Sequence, residues 1–134
     1  MSQENVDIVR GVYEALDQRE IDQFLSYFAP EMEVDFSDSV GPFRAVYRGH
    51  AELKTLWESF FEAWANIQWE VDELRDLGAG RVLTTTDVIA RGHGGGIPTT
   101  QHRAVIWEIR DGQIRRVKFF PDKQAAFEAA GLRE

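Results

Sequence analysis

The stretch Gln101–Phe120, QHRAVIWEIRDGQIRRVKFF, decides the fold. Two runs of alternating apolar and charged residues flank Asp111-Gly112, a dipeptide that strongly marks a β-hairpin. A ribbon of this composition needs helices on one face and solvent or a partner on the other. Its register has two solutions. A two-residue turn pairs Arg110 with Gln113 and puts Val105 and Trp107 on the face of Arg116 and Lys118. A three-residue loop, Arg110-Asp111-Gly112 with Gly112 in a bulge, sets Val105 opposite Val117 and Arg103 opposite Phe119, with Trp107 beside them. A one-residue slip exchanges every side chain between faces. The bulged register gives the more apolar inner wall and is the one expected. The other face then collects His102, Ala104, Ile106 and Phe120, suited to a sheet-to-sheet partner.

Upstream of the hairpin the period changes from two to 3.6. Val6, Val9, Tyr13 and Leu16 form one stripe of a first helix, and a polar turn at residues 17–20 leads to a second with Ile21, Phe24, Leu25 and Phe28. Pro30 is expected to stop it. Residues 31–36 alternate as a half-buried strand. Residues 37–48 read as a loop whose Val40, Phe43, Val46 and Tyr47 should fold over something. A third helix is expected from Gly49-His50 to about Trp64, with Leu53, Leu56, Trp57, Phe60, Phe61 and Trp64 on its apolar face. Two strands follow, 67–74 and 81–91, turned at Gly78–Gly80. After the hairpin, Asp122 should cap a short helix from Lys123 to Ala130, closed by Gly131. The order α-α-β-α-β-β-β-β-α describes a single α+β domain over residues 1–134, with helices packed on an antiparallel sheet of about five strands.

Composition excludes several function classes. Fifteen basic against 23 acidic residues give a net charge of −8, unsuited to nucleic acid or an anionic membrane, which attract positive surface. Without cysteine there are no disulfides, thiol nucleophiles or zinc–thiolate sites, which fits a cytoplasmic setting. Neither a signal peptide nor a membrane-spanning run is evident. Gly92-His93-Gly94-Gly95-Gly96 precedes a strand and lacks the Lys and Ser/Thr of a phosphate-binding loop. The three histidines, His50, His93 and His102, share no ligand spacing, so no metal is expected, and no cofactor is implied.

The arrangement resembles the SnoaL-like branch of the superfamily that contains nuclear transport factor two, ketosteroid isomerase and scytalone dehydratase. The resemblance rests on Tyr13 with Phe28-Ala29-Pro30, Val34-Asp35-Phe36, Tyr47-Arg48-Gly49-His50, the run Val105–Gly112 and the tail Ala125–Leu132. It implies a cone-shaped, cystatin-like α+β barrel: a curved sheet wrapped around the N-terminal helices, with a pocket at the open end. It also implies a homodimer through the outer sheet face, formed by His102, Ala104, Ile106 and Phe120. Ketosteroid isomerases use a helix Tyr, an Asp base ending the first strand and a second acid on a later strand. Tyr13 matches the first position, but the others fall on Phe36 and Val105, so that constellation is incomplete.

A pocket in such a cone would be lined by Tyr13, Phe28, Phe36, Trp57, Phe61, Trp64, Arg103, Val105, Trp107, Val117 and Phe119, and would take a small, mostly apolar molecule. Tyr13, Asp38 and Arg103 are the candidate catalytic groups. Tyr13 reads either as a core aromatic with a satisfied hydroxyl or as a ligand contact. Asp38 reads as a displaced general base or a solvated loop carboxylate. Asp35 reads as a surface carboxylate. Arg103, if inward, needs an internal carboxylate (Asp38 or Asp87) or a ligand oxygen; if outward, it is an ordinary surface residue. Three readings follow: a cofactor-independent acid/base enzyme of isomerase, cyclase, dehydratase or hydrolase type; a non-catalytic ligand-binding dimer; or an interaction module whose aromatic stripes fill the cone.

Overall fold

The computed structural model describes residues 2–37 and 46–131. In chain order these form α1 (Ser2–Gln18), α2 (Ile21–Ser26), β1 (Phe28–Asp35), β2 (Val46–Arg48), α3 (Gly49–Ala63), β3 (Asn66–Gly78), β4 (Arg81–Arg91), β5 (Thr99–Arg110), β6 (Gln113–Phe120) and α4 (Lys123–Ala129). The strands form one curved, unclosed sheet in the order β2-β1-β6-β5-β4-β3. Every pairing is antiparallel except β1 with β6, which is parallel, so the sheet is mixed rather than antiparallel throughout. The parallel pair joins strands about eighty residues apart, a long-range choice that local periodicity does not encode.

Three helices lie on the concave face. The inward stripe of α1 buries Val9, Val12 and Ala15, α2 adds Phe24, and α3 adds Leu53 and Leu56. They meet Phe28, Met32 and Val34 of β1, Val82 of β4, Val105, Trp107 and Ile109 of β5, and Ile114 and Val117 of β6 in one core. Pro30 does not end α2; that helix stops at Ser26, and Pro30 lies inside β1. There the β1–β6 register is interrupted between Phe28 and Glu33, so no ladder hydrogen bond is demanded of its missing N–H.

The hairpin takes the two-residue turn, not the three-residue loop. Arg110 pairs with Gln113, and Asp111 and Gly112 have φ of 54° and 76°, the positive values that a type I′ turn requires. A bulge nonetheless exists. It lies further along β6, where Glu108 pairs with Arg116 but Ile109 pairs with Ile114, leaving Arg115 as the extra residue. That residue reverses the parity of β6. Val105 therefore opposes Phe119 and Trp107 opposes Val117 on the inner face, with Arg116 and Lys118 turned outward.

The outer face under β5 and β6 is occupied by the chain itself. Ala104, Ile106 and Phe120 are buried with Leu83, Ala126 and Phe127 beneath α4. The homodimer surface expected there is therefore corrected: a helix of the same chain covers three of its four residues, and only His102 stays exposed. Asp122 caps α4 by accepting the Ala125 N–H at 2.8 Å, and Lys123 ties the helix to Glu73 of β3 at 2.8 Å.

Asp35 is also corrected. It is buried on the outer face, 3.0 Å from Arg116, whose guanidinium also reaches Glu33 and Glu108 at 3.3 Å. One cation on β6 thus clamps carboxylates from both neighbouring strands.

Candidate functional site

Between the three helices and the concave face of the sheet lies a cavity of about 130 Å³. Its closed end is built from buried side chains: Val12, Phe28, Val34, Leu53, Val105, Trp107 and Val117. Its open end is bordered by half-buried Phe36, Phe61, Trp69, Val88, Arg103 and Phe119, with Gln101 exposed at the rim. Leu16, Phe24, Leu56, Trp57 and Phe60 supply the helical wall.

Aromatic pairs shape this space. Phe36 stacks on Phe119 with centroids 4.4 Å apart and planes 19° apart. Trp57 packs against both Phe24 and Phe61 at 4.7 Å, and Phe61 meets Trp69 edge-on at 6.0 Å. The α3 spacing explains why Trp57, Phe60 and Phe61 arrive together: i, i+3 and i+4 share one helix face.

The polar groups come from α1, β4 and β5. Tyr13 from α1 shares a 2.9 Å hydrogen bond with Thr84, and Thr84 Oγ1 also accepts the Trp107 indole N–H at 2.9 Å. Tyr13 and Trp107 meet edge-on with centroids 5.8 Å apart. Burial pushes the Tyr13 phenol up to about 12, against the opposing pull of its hydrogen bonds to Thr84 and Thr86. At neutral pH it is an un-ionised phenol. On the paired strands β4 and β5, Thr86 lies opposite Arg103 and Val88 opposite Gln101, and all four turn toward the cavity. The Arg103 guanidinium donates to the Gln101 side-chain oxygen, and its burial depresses its basicity.

Ten of the eleven residues read from the sequence as pocket lining stand around this one space: Tyr13, Phe28, Phe36, Trp57, Phe61, Arg103, Val105, Trp107, Val117 and Phe119. Trp64 does not. Helix α3 ends at Ala63, and Trp64 adopts an extended backbone with φ −125° and ψ 137°, so the helical spacing no longer aims it inward. Asp38 lies outside the described residues. Asp87 and His102 turn to the opposite face and bond each other. His50 bonds the Phe28 carbonyl at 2.9 Å and His93 the Glu62 carbonyl at 2.7 Å.

Trp69, Val88, Thr86 and Gln101 were not foreseen. Trp69 could have been found from the parity of Ile67, Trp69 and Val71, whereas the Thr84–Thr86 run carries no readable period. Among the described residues, no Asp, Glu or His lines the cavity, and no three His, Asp or Glu are grouped to hold a metal. Nor is any described helix long and apolar enough to cross a membrane.

Residues 9–117 match the sequence profile of the SnoaL-like domain. No curated protein matches the sequence. Among the solved structures that share the architecture, three illustrate the likeness. TerC, co-crystallised with polyporic acid, superposes with a TM-score of 0.75 at 20% identity, over 96% of this chain and 98% of that one. A putative polyketide cyclase from Xanthomonas campestris pv. campestris gives 0.71 at 18% identity, over 96% and 98%. Rv0760c from Mycobacterium tuberculosis, in complex with estradiol-17β-hemisuccinate, gives 0.77 at 8% identity, over 90% and 95%. At such identities the likeness establishes the fold.

Proposed function

The chain belongs to the SnoaL-like domain family, and from that premise we propose that it binds a small, mostly apolar molecule in the cavity between its helices and its sheet. One observation carries the reading: the aromatic stripes do not fill the cone, but leave an apolar space open at one end and bordered by a few polar groups. Tyr13, Phe28, Phe36, Trp57, Phe61, Arg103, Val105, Trp107, Val117 and Phe119 are its proposed contacts. At about 130 Å³ the space is close to the ~150 Å³ of an engineered apolar cavity that accepts benzene. A single aromatic ring is therefore the ligand size it takes without side-chain movement. The complexes of TerC with polyporic acid and of Rv0760c with estradiol-17β-hemisuccinate support small-molecule occupancy of this fold.

A second reading, cofactor-independent catalysis, draws on the likeness to a putative polyketide cyclase and on Tyr13 and Arg103 at the same cavity. Both are hydrogen-bond donors at neutral pH. They could stabilise an oxyanion, but neither serves there as a general base. Binding without turnover is what the described groups support best.

The two readings separate in one experiment. Thermal-shift titration with single-ring compounds (phenol, p-cresol, anisole), followed by NMR analysis of the recovered compound, should show stabilisation and an unchanged molecule. A chemically altered compound would establish the catalytic reading instead. Absence of any shift at millimolar concentration contradicts both.

A further inference from the structure

We propose that Arg103 and Gln101 form an anchor for an anionic head group, so that the ligand is a single-ring molecule carrying a carboxylate or an equivalent oxyanion. This inference rests on the cavity being a binding site and specifies what it selects.

Arg103 is the one charged side chain that lines the cavity among the described residues. It arrives there because its pairing with Thr86 fixes the parity of β5, which turns Gln101, Arg103, Val105 and Trp107 to the same face. Its hydrogen-bond partner is the neutral Gln101 amide oxygen, and it makes no ion pair among the described residues. Asp87, one cross-strand position away, is turned to the other face and held by His102. A guanidinium taken partly out of water without a counter-charge among the described residues is disfavoured, and burial lowers its basicity.

An entering anion reverses the imbalance. The planar guanidinium can present two parallel N–H donors to one carboxylate. Gln101, whose side-chain oxygen is engaged by Arg103, offers its amide N–H₂ as a further donor. The ring of the ligand then lies against the aromatic walls while its head stays at the rim. The molecule as a whole does not attract anions, since its net charge is −8. Preference for an acid must therefore arise locally, from Arg103 itself.

Calorimetric titration with phenylacetate and its neutral near-isostere phenylacetamide tests the anchor. The wild type should bind phenylacetate at least tenfold more tightly than phenylacetamide. In Arg103→Met the ratio of the two affinities should fall to within about twofold of one. Equal affinity for the two compounds in the wild type overturns the anchor and leaves the binding cavity standing. A preference that survives in Arg103→Met also overturns it. Failure of the wild type to bind either compound at millimolar concentration overturns the anchor together with the binding reading, and so differs from the other two results.

Discussion

Tyr13 links the helices to the sheet at the level of single atoms. Its hydroxyl meets Thr84 Oγ1, which in turn accepts the Trp107 N–H, so two large aromatics share one small hydroxyl for their polar needs. Tyr13→Phe removes one member of this network and should cost about 1 kcal/mol in urea unfolding. The same residue gives a pH signature. Its folded pKa, about 12, lies above the unfolded value of 10.0. Its contribution is fully present below pH 10 and is lost as pH rises toward 12, because the unfolded chain releases the proton first. Across that window the wild type should lose roughly 2–3 kcal/mol more stability than Tyr13→Phe; equal losses would contradict the buried, proton-retaining phenol. At this scale the sequence was partly legible. Of the two readings of Tyr13, the geometry realises the core aromatic with a satisfied hydroxyl, met by Thr84, while its place on the cavity wall supports the proposed ligand contact. Trp64 was misread because helical spacing was extended one residue past the helix end.

The elements are held by devices that act across strands. Gly80 in the β3–β4 turn has φ 78°, and its carbonyl accepts the Ile109 N–H at 2.7 Å. A Cβ there would stand 2.5 Å from the Ile109 carbonyl oxygen, so both backbone conformation and space demand glycine. Gly80→Ala should lose about 2 kcal/mol or more in denaturant unfolding. Arg116 fastens β1, β6 and β5 through Glu33, Asp35 and Glu108. Arg116→Met, which leaves these carboxylates without it, should destabilise on the order of 2 kcal/mol. Burial raises the Asp35 pKa, but its hydrogen bonds from Ser37 and the charges of Lys118 and Arg116 outweigh that and lower it below 3.8. A depressed carboxylate stabilises the fold above its unfolded value, and that stability is lost as pH falls through the folded value. The gap between wild type and Arg116→Met should therefore narrow on acidification below about pH 4, as followed by circular dichroism. Helices and hairpin strands were legible because their periods are local. Three features were not: the three-residue β2, the parallel β1–β6 pairing and the Arg115 bulge. Each is set by a tertiary partner. The expected register erred by two residues yet placed Val105, Trp107, Val117 and Phe119 on the correct face, because a bulge anywhere between turn and core restores the same parity.

At the scale of the whole molecule, a sheet bent around three helices leaves an apolar space that its own aromatics do not close. Which residues surround it was largely readable, since the inward stripes of α1, α3 and the hairpin had to converge. That the space stays open was not readable, because stripe periodicity is the same for a filled core and a lined pocket. Nor was the role of α4 readable: an apolar outer face looks alike whether a second chain or a helix of the same chain covers it. If the cavity is the functional feature, Val88→Phe at its rim should weaken binding of single-ring compounds at least tenfold while shifting the melting temperature by no more than a few degrees. The most direct test is a crystal structure of the protein exposed to bromobenzene, with the bromine located by anomalous scattering. The account predicts a single strong peak inside the cavity, enclosed by Tyr13, Trp57, Val105, Trp107 and Phe119. A cavity without bromine in well-ordered crystals, or with its space closed by those side chains, would contradict it.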